Sequence, residues 1–154
     1  MEGKKKVGRY KRMVSQLEEL CSKPSTPLSR MATITAVLHN KMKHFFWTGY
    51  YLLEDGDLCV GPYQGPVACQ VLDRGKGVCW AAVERDAAVI VPDVTQFPGH
   101  ISCDSRSKSE ITLPVRDKNG TVWAVLDIDA KELDQFDVVD GLYLEKINNL
   151  IYKR

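Results

Sequence analysis

The chain has no C-x-x-C pair, no apolar run approaching twenty residues and no excess of charge of either sign. Each absence narrows the field. Structural zinc sites are built largely from closely paired cysteines, so five cysteines set singly at 21, 59, 69, 79 and 103 argue against one. A membrane-spanning helix needs about 20 mostly apolar residues, and no such stretch is present. With 21 Lys and Arg against 20 Asp and Glu, the formal net charge is +1, which draws the molecule neither to nucleic acid nor to an anionic membrane. The G-x-x-x-x-G-K-[ST] spacing is missing, and Gly75-Lys76-Gly77 is too short to cradle a phosphate. No repeat or low-complexity segment occurs. The basic N-terminus lacks the apolar core and cleavage site of a secretory signal, so the expected location is cytoplasmic, where thiols stay mostly reduced.

What is present fits one soluble domain over residues 1–154, of ordinary composition at 44% apolar and 27% charged. Residues 1–6 are polar and lysine-rich and read as a disordered, solvated terminus. Apolar positions at Val7, Tyr10, Met13, Val14, Leu17, Leu20 and Cys21 have helical spacing, with Cys21 as a buried small residue. A second helix is expected from Leu28 or Ser29, with Pro27 in its first turn. Trp47 to Leu53 and Leu58 to Val60 read as strands joined by an Asp55-Gly56 hairpin turn. Residues 61–66 read as a turn-rich connection and Ala68 to Leu72 as a short strand containing Cys69. A short helix follows from Val78 to Glu84, with Cys79 in its first turn, where the helix dipole favours a thiolate. Further strands are expected at Val89–Val91, Ile111–Val115 and Thr121–Asp129, the last two joined at Asn119-Gly120. A helix from Val138 to Ile151 closes the chain, with Leu142, Leu144, Ile147, Leu150 and Ile151 as its apolar positions. This order predicts an α+β fold, a central antiparallel sheet with the N- and C-terminal helices packed on one side.

The chemistry gathers in Pro98–Glu110, P-G-H-I-S-C-D-S-R-S-K-S-E, inside a long loop over 92–109. Long loops in compact domains are usually functional, and Cys103 reads as a nucleophile. His100 is either a base for Cys103 or a loop histidine bonded to backbone, and the second reading is preferred. Asp127 and Asp129 lie two apart in an apolar strand and share a face. The Asn119-Gly120 hairpin brings Glu110 opposite them. Three clustered carboxylates hold a cation or raise one another's pKa until one can donate a proton. A divalent metal is a weaker third use, and no metal is assigned. Trp47 and Tyr51 also share a face, and by pattern alone they read as core.

The segments G-P-Y-Q-G-P-V-A-C (61–69), G-K-G-V-C (75–79), P-G-H-I-S-C-D-S with S-E-I (98–105, 109–111) and V-L-D-I-D (125–129) together resemble the free methionine-(R)-sulfoxide reductases, stand-alone GAF-domain enzymes. The resemblance covers roughly Phe46 to Asp140. It implies a GAF-like fold and reduction of free L-methionine-(R)-sulfoxide to methionine. It further implies Cys103 as nucleophile, Cys69 as the favoured resolving cysteine and Cys79 as the alternative. Glu110, Asp127 and Asp129 would bind the substrate, with Trp47 and Tyr51 around its methyl group. A Cys103 sulfenic acid would condense to a disulfide and be recycled by thioredoxin, with no bound cofactor. Two positions depart from the family pattern: Trp80 after Cys79 and Ala124 before V-L-D-I-D, both where glycine is usual. The amphipathic helix at each end offers a surface for a homodimer. The competing readings are a GAF small-ligand or redox-sensing module without turnover, and a zinc- or thiol-dependent hydrolase using Cys103 and His100.

Overall fold

The computed structural model describes residues 1–100 and 103–152. Ile101 and Ser102 of the P-G-H-I-S-C-D-S segment lie outside the described residues. Six strands form one antiparallel sheet in the order β3-β2-β1-β6-β5-β4. They are β1 (Trp47–Glu54), β2 (Asp57–Gln64), β3 (Val71–Leu72), β4 (Val89–Val91), β5 (Ser109–Arg116) and β6 (Val122–Ala130). Helices α1 (Gly3–Leu20), α2 (Pro27–Lys41) and α4 (Val138–Asn148) cover one face, and α3 (Gly77–Arg85) covers part of the other. The expected α+β fold is therefore observed. Among the described residues no helix is long and apolar enough to cross a membrane.

The period of two divides each central strand between two environments. Tyr50, Ile111, Leu113, Leu126 and Ile128 point into a core shared with α1, α2 and α4. Trp47, Tyr51 and Val125 point to the other side, with α3. Local chemistry sets the corners. Asp55 and Gly56 both take positive φ, +50° and +82°, as a two-residue hairpin turn requires. The Thr26 hydroxyl accepts from the Ser29 amide at 3.1 Å, and Pro27 opens α2.

The structure departs from the sequence expectations in several places. The terminus over 1–6 is not frayed: α1 begins at Gly3, and Lys6 is 2% exposed. Its ammonium donates to Asp140 at 2.8 Å and lies 3.2 Å from Asp137. Tyr10 donates to the other oxygen of Asp140 at 2.5 Å. Asp140 also completes the capping box of α4 with Asp137, so one buried carboxylate joins the two terminal helices. The apolar positions of α4 shift accordingly: Leu142 is exposed, and Asp140, Leu144, Ile147 and Asn148 face inward. The stretch expected to be a turn-rich connection continues β2 as far as Gln64. The register slips between Gly49 and Tyr51, which leaves Gly61 and Pro62 in a bulge where a missing N–H costs no ladder bond. Conversely β3 is only two residues long, and Cys69 lies before it. Residues 66–69 are held instead by the Cys69–Cys103 disulfide and a Trp47–Pro66 hydrogen bond, and pairing with β2 resumes at Gln70.

Candidate active site

Three adjacent strands build the floor of the site. Trp47 of β1 pairs with Asp129 of β6, which pairs with Glu110 of β5. One row on, Gly49 pairs with Asp127 and Asp127 with Thr112. Cross-strand partners point to the same face, so the three carboxyls gather beside one aromatic wall. Residues that sit 17 and 19 apart in the chain become neighbours through one hairpin. The turn works because Asp117 Oδ1 accepts from the amides of Asn119 and Thr121, while Gly120 takes φ +82°.

The wall is compact for a local reason. The indole of Trp47 crosses Gly49, where a Cβ would lie 2.7 Å from its Cη2. Its ring stacks on Tyr51 at 5.7 Å between centroids. Trp47, Tyr51, Cys79, Cys103, Glu110 and Asp127 line one pocket on this face. The sequence-derived site residues are therefore brought together.

The cysteines divide by environment. Cys69 and Cys103 form a disulfide with Cα atoms 5.6 Å apart, while Cys79 is a buried free thiol. Cys103 is exposed at the rim. The expectation that the α3 N-terminus would stabilise a Cys79 thiolate is corrected. Burial, then Asp127 and Glu110, push the Cys79 thiol well above its ordinary pKa. Desolvation and like-sign neighbours outweigh the dipole of a nine-residue helix.

The carboxyls follow the same physics. Burial, and then Asp129, push Glu110 up to about 8. Burial, and then Glu110, push Asp127 well above the carboxylate range. Burial, and then Asp127, do the same for Asp129. Oδ1 of Asp127 is buried and has no hydrogen-bond partner among the described residues. The His100 amide donates to the Phe97 carbonyl at 3.2 Å, its Nε2 lies 3.6 Å from Glu110 Oε1, and burial lowers the imidazole pKa. Among the described residues, Cys79, Glu110 and Asp127 form the one group whose donor atoms, within 4.8 Å of one another, could share an ion.

Two features lay outside the sequence reading. Thr112 Oγ1 donates to the Val78 carbonyl at 3.0 Å, which ties α3 to the floor. The segment carrying Cys103 is pinned beside the pocket: Asp104 accepts two bonds from the Arg106 guanidinium, at 2.9 and 2.6 Å. That guanidinium lies 4.8 Å above the ring of Phe46. An aromatic before a strand and an arginine three residues after a cysteine carry no local signal of pairing.

No family model matches the chain. Similarity to individual proteins is extensive. The chain is 41% identical over 147 residues to GAF domain-containing protein A of Dictyostelium discoideum, covering 95% of this chain and 92% of that one. Fold and site thus define a GAF domain that carries a disulfide and, in one pocket, two buried carboxyls and a half-buried third. The chain is also 43% identical over 120 residues to the free methionine-R-sulfoxide reductase of Escherichia coli, covering 78% of this chain and 72% of that one. The structure superposes with a TM-score of 0.90 on the Neisseria meningitidis free methionine-R-sulfoxide reductase in complex with its substrate, at 34% identity, covering 98% of this chain and 89% of that chain. The chain belongs to the free methionine-R-sulfoxide reductase family.

Proposed function

We propose that this protein is an oxidoreductase that reduces free L-methionine-(R)-sulfoxide to methionine, with Cys103 as nucleophile and Cys69 as resolving thiol. The observation that carries the reading is the Cys69–Cys103 disulfide at the rim of a pocket floored by Glu110, Asp127 and Asp129. In the reduced enzyme the Cys103 sulfur attacks the sulfoxide. The S–O bond to the substrate breaks, the oxygen stays on Cys103 as a sulfenic acid, and methionine leaves. The developing oxyanion needs a proton. On this reading Glu110, whose pKa burial raises to about 8, supplies it. Cys69 then displaces hydroxide from the Cys103 sulfur, water forms, and the disulfide closes. A thioredoxin-type dithiol restores both thiols. No bound cofactor enters these steps.

The same pocket accounts for a free amino acid as substrate. An ammonium finds the unpartnered Asp127 oxygen and the neighbouring carboxyls. The S-methyl group lies against Trp47 and Tyr51, since sulfur–aromatic contacts contribute about 0.3–1.5 kcal/mol. Lys76 and the first turn of α3, which no side chain caps, face the pocket where a carboxylate would lie. Cys79 takes no part in resolution on this reading: it is the buried donor beside Asp127. The test is a coupled NADPH–thioredoxin assay on the separated R and S epimers of free methionine sulfoxide, with wild type beside Cys103→Ser. Turnover of the R epimer alone, lost in the variant, is the expected result. No turnover of either epimer, with a small dithiol also tried, refutes the reading.

A further inference from the structure

One aromatic contact lies outside the machinery described so far. Tyr63 of β2 pairs with Gly49 and stacks on Trp47 at 5.2 Å between centroids, with the ring planes 19° apart. Trp47 therefore stacks with two tyrosines. The next turn closes in behind it. Gly65 takes φ +125°, and a Cβ there would lie 3.0 Å from Trp47 Cδ1 and 2.8 Å from the Phe46 carbonyl. With the ring so placed, Nε1 donates to the Pro66 carbonyl at 3.0 Å. Pro66 precedes Cys69 by three residues. The indole that forms the pocket wall thus also anchors the segment that carries one half of the disulfide.

We propose that Tyr63 is a positioning residue for disulfide closure: by stacking on Trp47 it holds the indole N–H on Pro66, and so keeps Cys69 within bonding reach of Cys103. The proposal rests on the assignment of Cys69 as the resolving thiol. A disulfide needs Cα atoms within about 4.4–6.8 Å, and here the separation is 5.6 Å. Residues 66–69 belong to no strand or helix, so nothing in their own secondary structure holds that distance. On the C-terminal side the Val60 amide holds the Gln70 carbonyl at 3.0 Å; on the N-terminal side the Trp47–Pro66 bond supplies the restraint, and Tyr63 fixes its donor. Releasing the segment lowers the effective concentration of Cys69 at the Cys103 sulfur, and the sulfenic acid lives longer.

Closure can be measured without the sulfoxide. Hydrogen peroxide oxidises the reduced full-length protein: the Cys103 thiolate attacks one oxygen, the O–O bond breaks, and hydroxide leaves the Cys103 sulfenic acid. The Cys69 thiol then attacks that sulfur, the S–S bond forms, the S–O bond breaks, and water leaves. Dimedone added with the peroxide traps whatever sulfenic acid persists, and mass spectrometry reads both products. Wild type and Tyr63→Phe, which keeps the ring, are expected to close quickly with little adduct. Tyr63→Leu is expected to close at least tenfold more slowly and to accumulate the Cys103 adduct. Trp47→Phe keeps an aromatic wall but lacks the N–H donor. It is expected to slow closure in the same way, and it stands in if Tyr63→Leu does not fold. Closure at the wild-type rate in folded Tyr63→Leu and Trp47→Phe overturns the proposal, as does a loss of thermal stability in Tyr63→Leu with no change in closure. The epimer assay is run in parallel. Slowed closure without sulfoxide turnover in wild type supports the positioning role and refutes only the reductase reading. Normal closure in the variants with normal wild-type turnover refutes only the positioning role.

Discussion

Replacing Glu110 with glutamine is expected to make the protein more stable and less active at the same time. Glu110 is 6% exposed and pairs directly with Asp129 across the β5–β6 ladder. Burial, then Asp129, raise its pKa from the usual 4.5 to about 8. In the unfolded chain it ionises near its ordinary value. Between those two values the folded state binds more protons, so stability falls as pH rises from the unfolded pKa to the folded one. At pH 7 the folded chain retains this proton about 2.5 pH units above the unfolded pKa, a cost of roughly 3 kcal/mol at about 1.4 kcal/mol per unit. Glutamine cannot ionise, so that cost disappears. The new amide must be partnered, and an imperfect fit costs about 1 kcal/mol. The net expectation is a gain of about 2 kcal/mol at pH 7, or about 4–8 °C in Tm for a chain of this size. Near pH 4.5 the gain vanishes. Urea denaturation of the reduced proteins at pH 4.5, 6, 7 and 8 checks this. Activity moves the other way, since losing a general acid costs about 10²–10⁴ in rate. Parallel pH slopes for the two proteins, or a variant less stable at pH 7, would refute the reasoning.

Other perturbations probe other parts. Lys6→Met leaves the fully buried Asp140 with Tyr10 but without its cation, and should cost about 3 kcal/mol by urea denaturation, near the lower end for breaking a buried ion pair. Gly49→Ala drives a methyl into Tyr63 Cβ first, and sets it 2.7 Å from Trp47 Cη2 and 3.0 Å from the Pro62 carbonyl; displacing both rings should raise KM for the free sulfoxide about tenfold, read by steady-state kinetics. Cys69→Ser should yield one methionine per chain and then stop, whereas Cys79→Ser should still form one disulfide, counted by mass after oxidation.

Much of the floor of the site was legible in residue order. V-L-D-I-D puts Asp127 and Asp129 on one face by the period of two, and Asn119-Gly120 fixes the hairpin that brings Glu110 against them. The same alternation along β1 placed Trp47 and Tyr51 together. These inferences hold because backbone geometry sets them within a few residues. Cys79 could not be read this way. Its position at the start of α3 points to an acidic thiol, and only the packing of α3 onto β5 and β6 surrounds it with carboxyls. Lys6 shows the same limit at greater range: a lysine-rich terminus reads as solvated, and its carboxylate partner lies 134 residues away. The strand pattern and turn chemistry are local and survive in the sequence. Desolvation, and which distant groups meet, depend on how the whole chain closes. The tertiary structure therefore decided that Cys69 is bridged to Cys103, that Cys79 stays a thiol, and that burial beside Asp129 raises the Glu110 pKa.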